Sequence, residues 1–288
     1  MTPELITDDA WLRVEAGGVE LARYVFAPWD AQLESPRPYF HPLRTLAGDV
    51  VSLYRPHDHV WHKGIAWSLP NVGPANFWGG PTYLRGRGYE QLANNGTTRH
   101  LSFDPAGPAA VVERLEWVTE QGQRWFTETR TLRFAVTERA WTLGFTTEFT
   151  NVTGAPIVLG SPTTQGRENA GYGGLFWRGP RSFTGGRVSV PGRTGGDELM
   201  GVRAPWLAFG GRHDEHGRSS TLLFTAADEP KWFVRSNPFA AVCPAPFFDT
   251  EVTVDPAQTR TYRHTVTIAD GDPDPASLLD VVDLVGLG

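Results

Sequence analysis

Two neighbouring stretches of this chain alternate between larger and smaller or more polar residues with a period of two. The first runs from residue 126 to 134, and the second runs from 141 to 149 with mostly large apolar residues at its odd positions. Because successive side chains of a β-strand point to opposite faces, this period predicts two long antiparallel-type strands. The residues that share one face of the first strand are Phe126, Glu128, Arg130, Leu132 and Phe134.

The rest of the chain has a similar strand-and-turn composition. Segments rich in Val, Thr, Phe, Trp and Tyr lie between turns that draw on 32 glycines and 23 prolines, which is typical of sandwiches and barrels. Residues 160–201 are rich in loops, and residues 275–285 have the pattern of a short capping helix with proline near its first turn. No repeat, linker or change of composition divides the chain, so we expect a single domain over residues 1–288. The other predicted strands are 19–26, 37–44, 49–54, 98–103, 110–118, 206–209, 221–225, 232–235, 250–254 and 259–268.

Charge and composition limit the partners of the protein. The net charge of −6 gives no general attraction to nucleic acid or anionic lipid, and no run is long enough to span a membrane. We therefore expect neither of these partners. The single cysteine, Cys243, fits a reducing compartment, and the acidic N-terminus lacks a signal-peptide pattern, so we expect a cytoplasmic protein. The residues leave the oligomeric state open.

Titratable and aromatic residues concentrate between residues 55 and 80. Three of the eight histidines, His57, His59 and His62, fall within six positions, and Trp61 and Trp78 lie among or shortly after them. One histidine at the end of a strand usually satisfies a backbone carbonyl in a packing corner. Three histidines and the adjacent lysine are hard to satisfy together in a dry corner, so the stretch indicates a functional site.

Two chemistries could use these histidines. In the first, His57 and His59 lie on one face of a strand and bind a metal, with His62 as a third ligand. That arrangement requires the chain to turn before His62, and it lacks the glutamate that follows His-x-His in cupin-like sites. In the second, the imidazoles are general acids or bases, because the pKa of histidine lies near neutral pH. We favour the second chemistry and expect no cofactor and no metal.

Aromatic and amide side chains near the histidines suit a carbohydrate, which needs apolar faces for stacking and fixed donors for its hydroxyls. Glu168, beside Arg167 in a glycine-rich loop, is the carboxylate that could complete an acid–base pair. The candidate catalytic residues are His57, His59, His62, Lys63, Arg167 and Glu168. The candidate substrate-binding residues are Tyr39, His41, Arg44, Asn76, Trp78, Arg99, His100, Trp177 and Arg235.

Several motifs resemble the PmoA-like family of soluble bacterial proteins. They are Tyr39-Phe-His-Pro-Leu-Arg-Thr, His57-Asp-His-Val-Trp-His-Lys-Gly, Asn76-Phe-Trp-Gly-Gly, Phe149-Thr-Asn-Val-Thr and Asp249-Thr-Glu. The family carries the label "methane oxygenase" after the membrane subunit of an oxygenase. Because this sequence has no membrane span, we regard that label as a misnomer. The resemblance implies genomic company with sugar-catabolic oxidoreductases of the Gfo/Idh/MocA type.

A more distant likeness is to galactose mutarotase and related supersandwich proteins. Residues 149–159 resemble the strand–turn–strand before the mutarotase catalytic histidine, and residues 254–264 resemble its final hairpin. This chain has Thr163-Thr-Gln-Gly at the place of that histidine, and no glutamate stands near Arg235, so the mutarotase mechanism does not carry over.

The motifs and likenesses together give one expectation for the fold and three for the function. The expected fold is an all-β, antiparallel β-supersandwich with a short C-terminal helix. The expected function is acid–base catalysis on a sugar or an oxidised keto-sugar, of epimerase, lyase or hydratase type. The alternatives are a metal-dependent enzyme that uses the three histidines and a carbohydrate-binding protein without catalysis.

Overall fold

Strands make up most of the regular structure in the computed structural model, which describes residues 2–286. In chain order they are β1 (Glu4–Thr7), β2 (Trp11–Ala16), β3 (Val19–Val25), β4 (Tyr39–Leu43), β5 (Ile65–Val72), β6 (Ala75–Phe77), β7 (Thr82–Leu84), β8 (Gly88–Glu90), β9 (Thr97–Pro105), β10 (Ala110–Val118), β11 (Arg124–Val136), β12 (Ala140–Asn151), β13 (Ile157–Gly160), β14 (Gly174–Arg178), β15 (Arg187–Val190), β16 (Arg193–Gly195), β17 (Trp206–Arg212), β18 (Ser219–Ala226), β19 (Lys231–Arg235), β20 (Ala241–Ala245), β21 (Val252–Val254) and β22 (Thr259–Asp270). One α-helix, α1 (Leu279–Val282), lies between 3₁₀ turns at Pro275–Leu278 and Asp283–Val285.

Two antiparallel sheets carry the fold. Over residues 2–286, the nine-stranded sheet has the order β16-β15-β17-β18-β22-β12-β11-β10-β9. The eleven-stranded sheet has the order β1-β2-β3-β4-β5-β14-β20-β19, with β6 and β13 paired to β5 and β21 paired to β13. Strands β7 and β8 form a separate hairpin. The predicted all-β antiparallel sandwich is therefore confirmed.

The alternating stretches form β11 and β12, which pair in unbroken register from Phe126↔Asn151 to Val136↔Trp141. On β11 every second residue from Phe126 to Val136 is buried, as the period of two predicts. Apolar residues of both sheets, from Leu12 to Ile268, join in one core cluster. The charged pair Glu128 and Arg130 faces this same buried side.

The C-terminal prediction is confirmed as a short helix flanked by 3₁₀ turns. The carboxylate of Asp274 accepts a hydrogen bond from the backbone N–H of Ala276 at 3.1 Å, and Pro275 occupies the first turn. Leu278, Val281 and Val282 are buried against the nine-stranded sheet. No helix in residues 2–286 is long and apolar enough to cross a membrane.

One predicted strand was wrong, and one buried strand was not predicted. Residues 49–54, predicted as a strand, make only single bridges, Arg44↔Val50 and Tyr54↔Lys63. The loop-rich stretch 160–201 contains β14, whose five residues are all buried. Because β14 is covered on both faces, it has no polar alternation by which a sequence could reveal it.

The two faces of the eleven-stranded sheet have different partners. Leu175 and Trp177 of β14 point into the core between the sheets, whereas Phe176 points to the other face. On β19, Trp232 belongs to the same core, and Phe233 packs with Phe176 in a second aromatic cluster. This second cluster forms the floor of the candidate site.

Candidate functional site

The histidine stretch folds as a succession of tight turns between β4 and β5. The N–H of His59 donates to the carbonyl of Pro56 at 2.9 Å, and the N–H of His62 donates to the carbonyl of His59 at 2.9 Å. Gly64 ends the loop with φ of +55°, and a Cβ there would lie 2.1 Å from the carbonyl oxygen of Phe40. A glycine is therefore required where the chain enters β5.

A cavity of about 460 Å³ lies over the second aromatic cluster, on the sheet face opposite the core. Its walls come from the histidine loop, from the segments that follow β6 and precede β14, and from β19. The lining residues are His59, Trp61, His62, Trp78, Gly79, Pro81, Tyr89, Arg167, Asn169, Tyr172, Phe176, Phe233, Arg235, Pro238 and Phe239. The set is mainly aromatic and includes two histidines and two arginines.

His59 and His62 stack against each other at the wall of this cavity. Their ring centroids are 4.7 Å apart and their planes differ by 17°. Nδ1 of His59 lies 3.0 Å from Oδ2 of Asp58, and Nδ1 of His62 lies 3.3 Å from Nη1 of Arg178. The Nδ1 atom of His59 therefore contacts an anion, whereas the Nδ1 atom of His62 contacts a cation.

The charged neighbours fix different tautomers on the two rings. Arginine can only donate, so Nδ1 of His62 accepts and a neutral ring carries its proton on Nε2. An ionised carboxylate can only accept, so Nδ1 of His59 carries the proton and Nε2 of a neutral ring has a free lone pair. Burial, with the nearby charges of His59 and Arg178, lowers the pKa of His62 well below its usual value, so this ring is neutral at pH 7.

Asp58 is held as an anion by several groups. Desolvation by itself would raise the pKa of this carboxyl, but hydrogen bonds from His59 and Arg181 and the charge of Arg178 lower it well below its usual range. Arg181 donates to Oδ1 of Asp58 at 2.8 Å. Arg178 is itself fully buried, with its guanidinium carbon 3.8 Å from the ring centroid of Phe239. Burial lowers the pKa of Arg178 to about 10, which leaves it charged at neutral pH.

Aromatic rings form the rest of the cavity. Trp78 packs against Tyr172 with a centroid distance of 4.6 Å and against Phe176 at 4.7 Å. The hydroxyls of Tyr172 and Tyr89 are 2.7 Å apart, and burial raises the pKa of both phenols, so both remain protonated. The cavity thus combines flat apolar surface with hydroxyl donors.

Five of the predicted site residues line this cavity: His59, His62, Trp78, Arg167 and Arg235. His57 is exposed on the same loop, where its Nδ1 lies 3.0 Å from Nη2 of Arg181, and Glu168 is exposed beside Arg167. Neither His57 nor Glu168 is among the lining residues.

Lys63 lies under the loop instead of at the cavity. Its ammonium group is buried and forms ion pairs with Asp30 at 2.9 Å and with Glu34. Arg55 binds Glu34 as well, with Nη2 to Oε1 at 2.7 Å. Because these carboxylates hold the charge of Lys63, this residue stabilises the loop and is not free to bind a substrate oxyanion.

Tyr39 and His41 are residues of β4 whose side chains pack against the segment that precedes the histidine loop. Tyr39 is buried and stacks on Tyr54 with ring centroids 5.0 Å apart. Nδ1 of His41 lies 2.9 Å from the hydroxyl of Ser52. Burial, with the charges of nearby arginines, lowers the pKa of His41 to about 4. Both side chains are therefore engaged in contacts outside the cavity, and neither is among its lining residues.

Arg44, Arg99 and His100 also lie away from the cavity. Arg44 is half-buried after β4, and the exposed Arg99 is 3.8 Å from the carboxylate of Glu116. Nδ1 of His100 lies 2.8 Å from Oε1 of the buried Glu113. The structure therefore gives these three residues no direct contact with a molecule in the cavity.

Asn76 and Trp177 have structural positions. Oδ1 of Asn76 accepts from the backbone N–H groups of Trp78 and Gly79 at 2.8 and 2.9 Å, which shapes the turn that presents Trp78. Trp177 is fully buried in the core, and its Nε1 donates to the carbonyl of Val51 at 2.8 Å. Its neighbour Phe176 reaches the cavity instead, because adjacent strand residues face opposite sides.

Sequence reasoning missed several lining residues and both partners of the histidine pair. The missed residues are Asp58, Trp61, Tyr89, Asn169, Tyr172, Phe176, Arg178, Phe233, Pro238 and Phe239. Asp58 and Trp61 were visible inside the histidine stretch. The others come from separate stretches of the chain that only the tertiary structure brings together.

The three histidines do not fit a shared metal ion. Their Nδ1 atoms contact three different groups, the arginines Arg181 and Arg178 and the carboxylate of Asp58. Among residues 2–286, no group of three or more His, Cys, Asp or Glu side chains converges as metal ligands do. The arrangement of donors therefore does not support the metal-dependent alternative.

The fold and the site define an antiparallel β-sandwich protein with an aromatic cavity and a stacked histidine pair. The chain belongs to the Family of unknown function (DUF6807), whose model matches residues 12–283. No curated protein matches the sequence. Since the matching family has no assigned function, the resemblance to the PmoA-like family stays a prediction.

Solved structures similar to this chain include proteins named for sugar chemistry. The GH36 alpha-galactosidase AgaA from Geobacillus stearothermophilus is 13% identical, with a TM-score of 0.47 over 91% of this chain and 40% of that chain. This chain therefore spans about two fifths of the length of that enzyme. A galactose mutarotase related enzyme from Lactobacillus acidophilus is 9% identical, with a TM-score of 0.42 over 94% of this chain and 98% of that chain.

A third similar structure is the GalM/aldose epimerase homologue from C. elegans. It is 10% identical, with a TM-score of 0.38 over 94% of this chain and 99% of that chain. Mutarotase-like proteins are thus among the similar structures. Similarities this distant carry no information about activity.

Proposed function

We propose that this protein is a carbohydrate-active enzyme in which His59 and His62 transfer protons on a sugar or keto-sugar bound in the cavity. The observation that carries the proposal is the stacked pair of imidazoles with opposite tautomers, held by Asp58 and Arg178 at an aromatic wall. Structural histidines in a packing corner have no need of two charged partners that fix two different tautomers.

His59 is the proposed general base. Its Nδ1–H donates to Asp58, which leaves Nε2 able to accept a proton, and no other protein group of residues 2–286 hydrogen-bonds that nitrogen. Asp58 orients the ring and stabilises the imidazolium that forms when the base is protonated, as carboxylates do beside catalytic histidines.

His62 is the proposed donor. With Nδ1 accepting from Arg178, its Nε2–H is free of protein partners within the described chain and serves the cavity that the ring lines. A neutral imidazole whose pKa is lowered by burial donates a hydrogen bond without adding a positive charge to the site. It therefore suits an oxygen on which negative charge develops.

The shared step of the candidate reactions is removal of a proton from a sugar carbon next to a carbonyl group. Nε2 of His59 takes the proton, the C–H electron pair moves into the new C=C bond, and the carbonyl oxygen gains charge against Nε2–H of His62. Delivery of a solvent proton to the other face, with release of the first proton from His59 to solvent, gives epimerisation. Loss of a hydroxyl or alkoxyl group from the next carbon, with proton transfer to it, gives a lyase or dehydratase reaction, whose reverse is hydration.

The aromatic walls would hold the sugar during this step. The faces of Trp61 and Trp78 are suited to stacking on the C–H face of a pyranose, and the hydroxyls of Tyr89 and Tyr172 can bond to sugar hydroxyls. A carbohydrate-binding protein without catalysis would use the same walls, so the test must detect chemistry and not only binding.

The deciding experiment is proton exchange in D₂O, followed by NMR, with 3-keto-hexoses, ketohexoses and hexuronates as probes. We expect the protein to replace the C–H next to the carbonyl with deuterium in at least one probe. We expect His59→Ala to slow the exchange by about 10²- to 10⁴-fold, which is the usual contribution of a general base.

His57→Ala is the matched control, because His57 lies two residues away on the same loop, is exposed and does not line the cavity. We expect it to retain exchange within a few-fold of the parent protein. Full activity of His59→Ala would overturn the assignment of the base. Binding of a sugar with no exchange in any probe would leave a carbohydrate-binding protein.

A further inference from the structure

The charges at the cavity are one-sided. Arg167 and Arg235 line it, and no carboxylate from residues 2–286 is among the lining residues. The anion Asp58 beside His59 is already paired with Arg178 and Arg181. The whole chain carries a net charge of −6, so this positive cluster differs in sign from the protein that surrounds it. A cavity for neutral sugars has no need of such an excess of arginine.

Arg167 has no carboxylate partner within salt-bridge distance in the described chain. Its guanidinium lies over the ring of Tyr89, 4.8 Å from the centroid, and Nη1 donates to the hydroxyl of the same tyrosine. These contacts fix the position of the guanidinium but do not neutralise it. A buried or half-buried cation without a counter-ion is costly unless a ligand supplies the charge.

Arg235 lines the same cavity as Arg167 and is only weakly paired. Its Nη2 donates at 3.2 Å to the carbonyl of Asn169, which is two residues from Arg167 in the chain. Its Nη1 is 3.8 Å from Asp197, whose other oxygen accepts from the backbone N–H of Ser236 at 2.5 Å. Both arginines therefore line the cavity and retain donors for a ligand.

We infer that the cavity takes a sugar acid, whose carboxylate binds Arg167 and Arg235 while its ring rests on the aromatic walls beside the histidine pair. This inference rests on the proposed function and adds the substrate class. A carboxylate suits the planar guanidinium forks, which bind such groups bidentately. A phosphate also suits them, but its charge of nearly two is harder to desolvate among seven aromatic lining residues.

The proposed base gains from a carboxylate in this position. In a hexuronate, C5 carries both the carboxylate and a hydrogen, so the arginines would lower the cost of removing that proton by neutralising the adjacent charge. Nε2 of His59 would take the proton, and the electron pair would move toward the carboxylate carbon. Delivery of a solvent proton to the opposite face of C5, with release of the first proton from His59 to solvent, gives the C5 epimer, and loss of the oxygen at C4 with a proton gives the unsaturated product.

The test is isothermal titration calorimetry with D-galacturonate, D-glucuronate, the matching neutral hexoses and their 6-phosphates, at fixed ionic strength. We expect a sugar acid to bind at least tenfold more tightly than its neutral counterpart. Arg167→Gln and Arg235→Gln should each weaken binding of the acid by about 10- to 100-fold and leave binding of the neutral sugar nearly unchanged. The control is Arg114→Gln. It removes an exposed arginine of β10 that is paired with Asp104 of β9, and the variant should bind the sugars as the parent protein does.

The outcomes separate this inference from the proposed function. Equal binding of neutral and acidic sugars, or acid binding that survives both arginine substitutions, overturns the inference and leaves the proposed function standing. Tightest binding of a sugar phosphate also overturns it, in favour of a phosphorylated substrate. Failure of every one of these probes to bind overturns the inference, whereas the proposed function is decided separately by proton exchange in the keto-sugars.

Discussion

Two buried histidines of this protein, His62 and His264, have different surroundings, so burial affects the proposed reaction at one and the stability of the fold at the other. His62 accepts a hydrogen bond from Arg178 and borders the cavity, so its neutral form is put to use in the proposed reaction. His264 is buried between the sheets, 5.7 Å from the ring of Trp67, and neither of its nitrogens has a protein partner within residues 2–286. Burial lowers the pKa of His264 to about 3. His264 is therefore neutral in the folded protein, and its protonation favours the unfolded chain.

Replacement of His264 by Phe should reduce the acid sensitivity of the fold. The folded-state pKa lies below the unfolded value of about 6.5, so the unfolded chain binds the extra proton as the pH falls. The contribution of this site is intact above about pH 6.5 and is lost as the pH falls from there toward 3. The parent protein should lose up to about 1.4 kcal/mol per pH unit more than His264→Phe over that range.

Urea unfolding of both proteins at pH 7, 6 and 5 measures this difference. His41 and His62 titrate in both proteins, so their contributions cancel in the comparison. The same decline in unfolding free energy for the parent and the variant would contradict the prediction.

At the scale of elements, the histidine loop depends on a glycine where it joins β5. Gly64 has φ of +55°, and its Cα lies so close to β4 that a Cβ would meet the carbonyl of Phe40 at 2.1 Å and Cβ of His41 at 3.1 Å. The positive φ and the contact with backbone both exclude a side chain. This close approach sets the direction in which the loop presents His59 and His62.

Gly64→Ala should therefore destabilise the protein more than Gly86→Ala. Gly86 also has a positive φ, +75°, but a Cβ there meets nothing within 4 Å, so it serves as the control for backbone conformation alone. We expect about 1–2 kcal/mol for Gly86→Ala and at least about 2 kcal/mol more for Gly64→Ala. Urea unfolding at pH 7 gives both values. Similar losses of unfolding free energy in the two variants would show that β4 can shift to accommodate the added Cβ and would contradict the prediction.

The elements also show how far the sequence could predict the fold and the site. The strands β11 and β12 were predictable because one face of each is more polar than the other. The strands β5 and β14 were missed because burial on both faces removes the alternation. The histidines were recognised by their clustering, but Trp177 was chosen where its neighbour Phe176 lines the cavity. Only the orientation of β14 in the sheet decides between these two adjacent residues.

At the scale of the whole molecule, a charged network joins the two sheets and helps to explain why the cavity lies outside them. Tyr24 of β3, in the eleven-stranded sheet, donates to Glu113 of β10 and accepts from Arg130 of β11 at 2.7 Å. Nη2 of Arg130 lies 2.8 Å from Glu128, which also accepts from Nε1 of Trp117 at 2.6 Å. These polar groups and the surrounding aromatic rings fill the space between the sheets.

Arg130→Met should be strongly destabilising, because it leaves the carboxylate of Glu128 buried without its cation. Removal of one partner from a buried ion pair typically costs about 3–5 kcal/mol. Arg114→Met is the matched control, since Arg114 makes an exposed ion pair with Asp104 that should contribute less than about 1 kcal/mol.

The double variant Arg130→Met with Glu128→Gln tests whether the loss comes from the unpaired charge or from altered packing. If charge is the cause, the double variant should be more stable than the sum of the two single losses predicts, because the carboxylate that Arg130 binds most closely is then neutral. Urea unfolding of the parent, both single variants and the double variant gives the coupling energy. Additive losses would attribute the effect to altered packing instead of unpaired charge. A loss below about 1 kcal/mol for Arg130→Met would mean that water reaches the network, and the sheets would then owe their association to the apolar core alone.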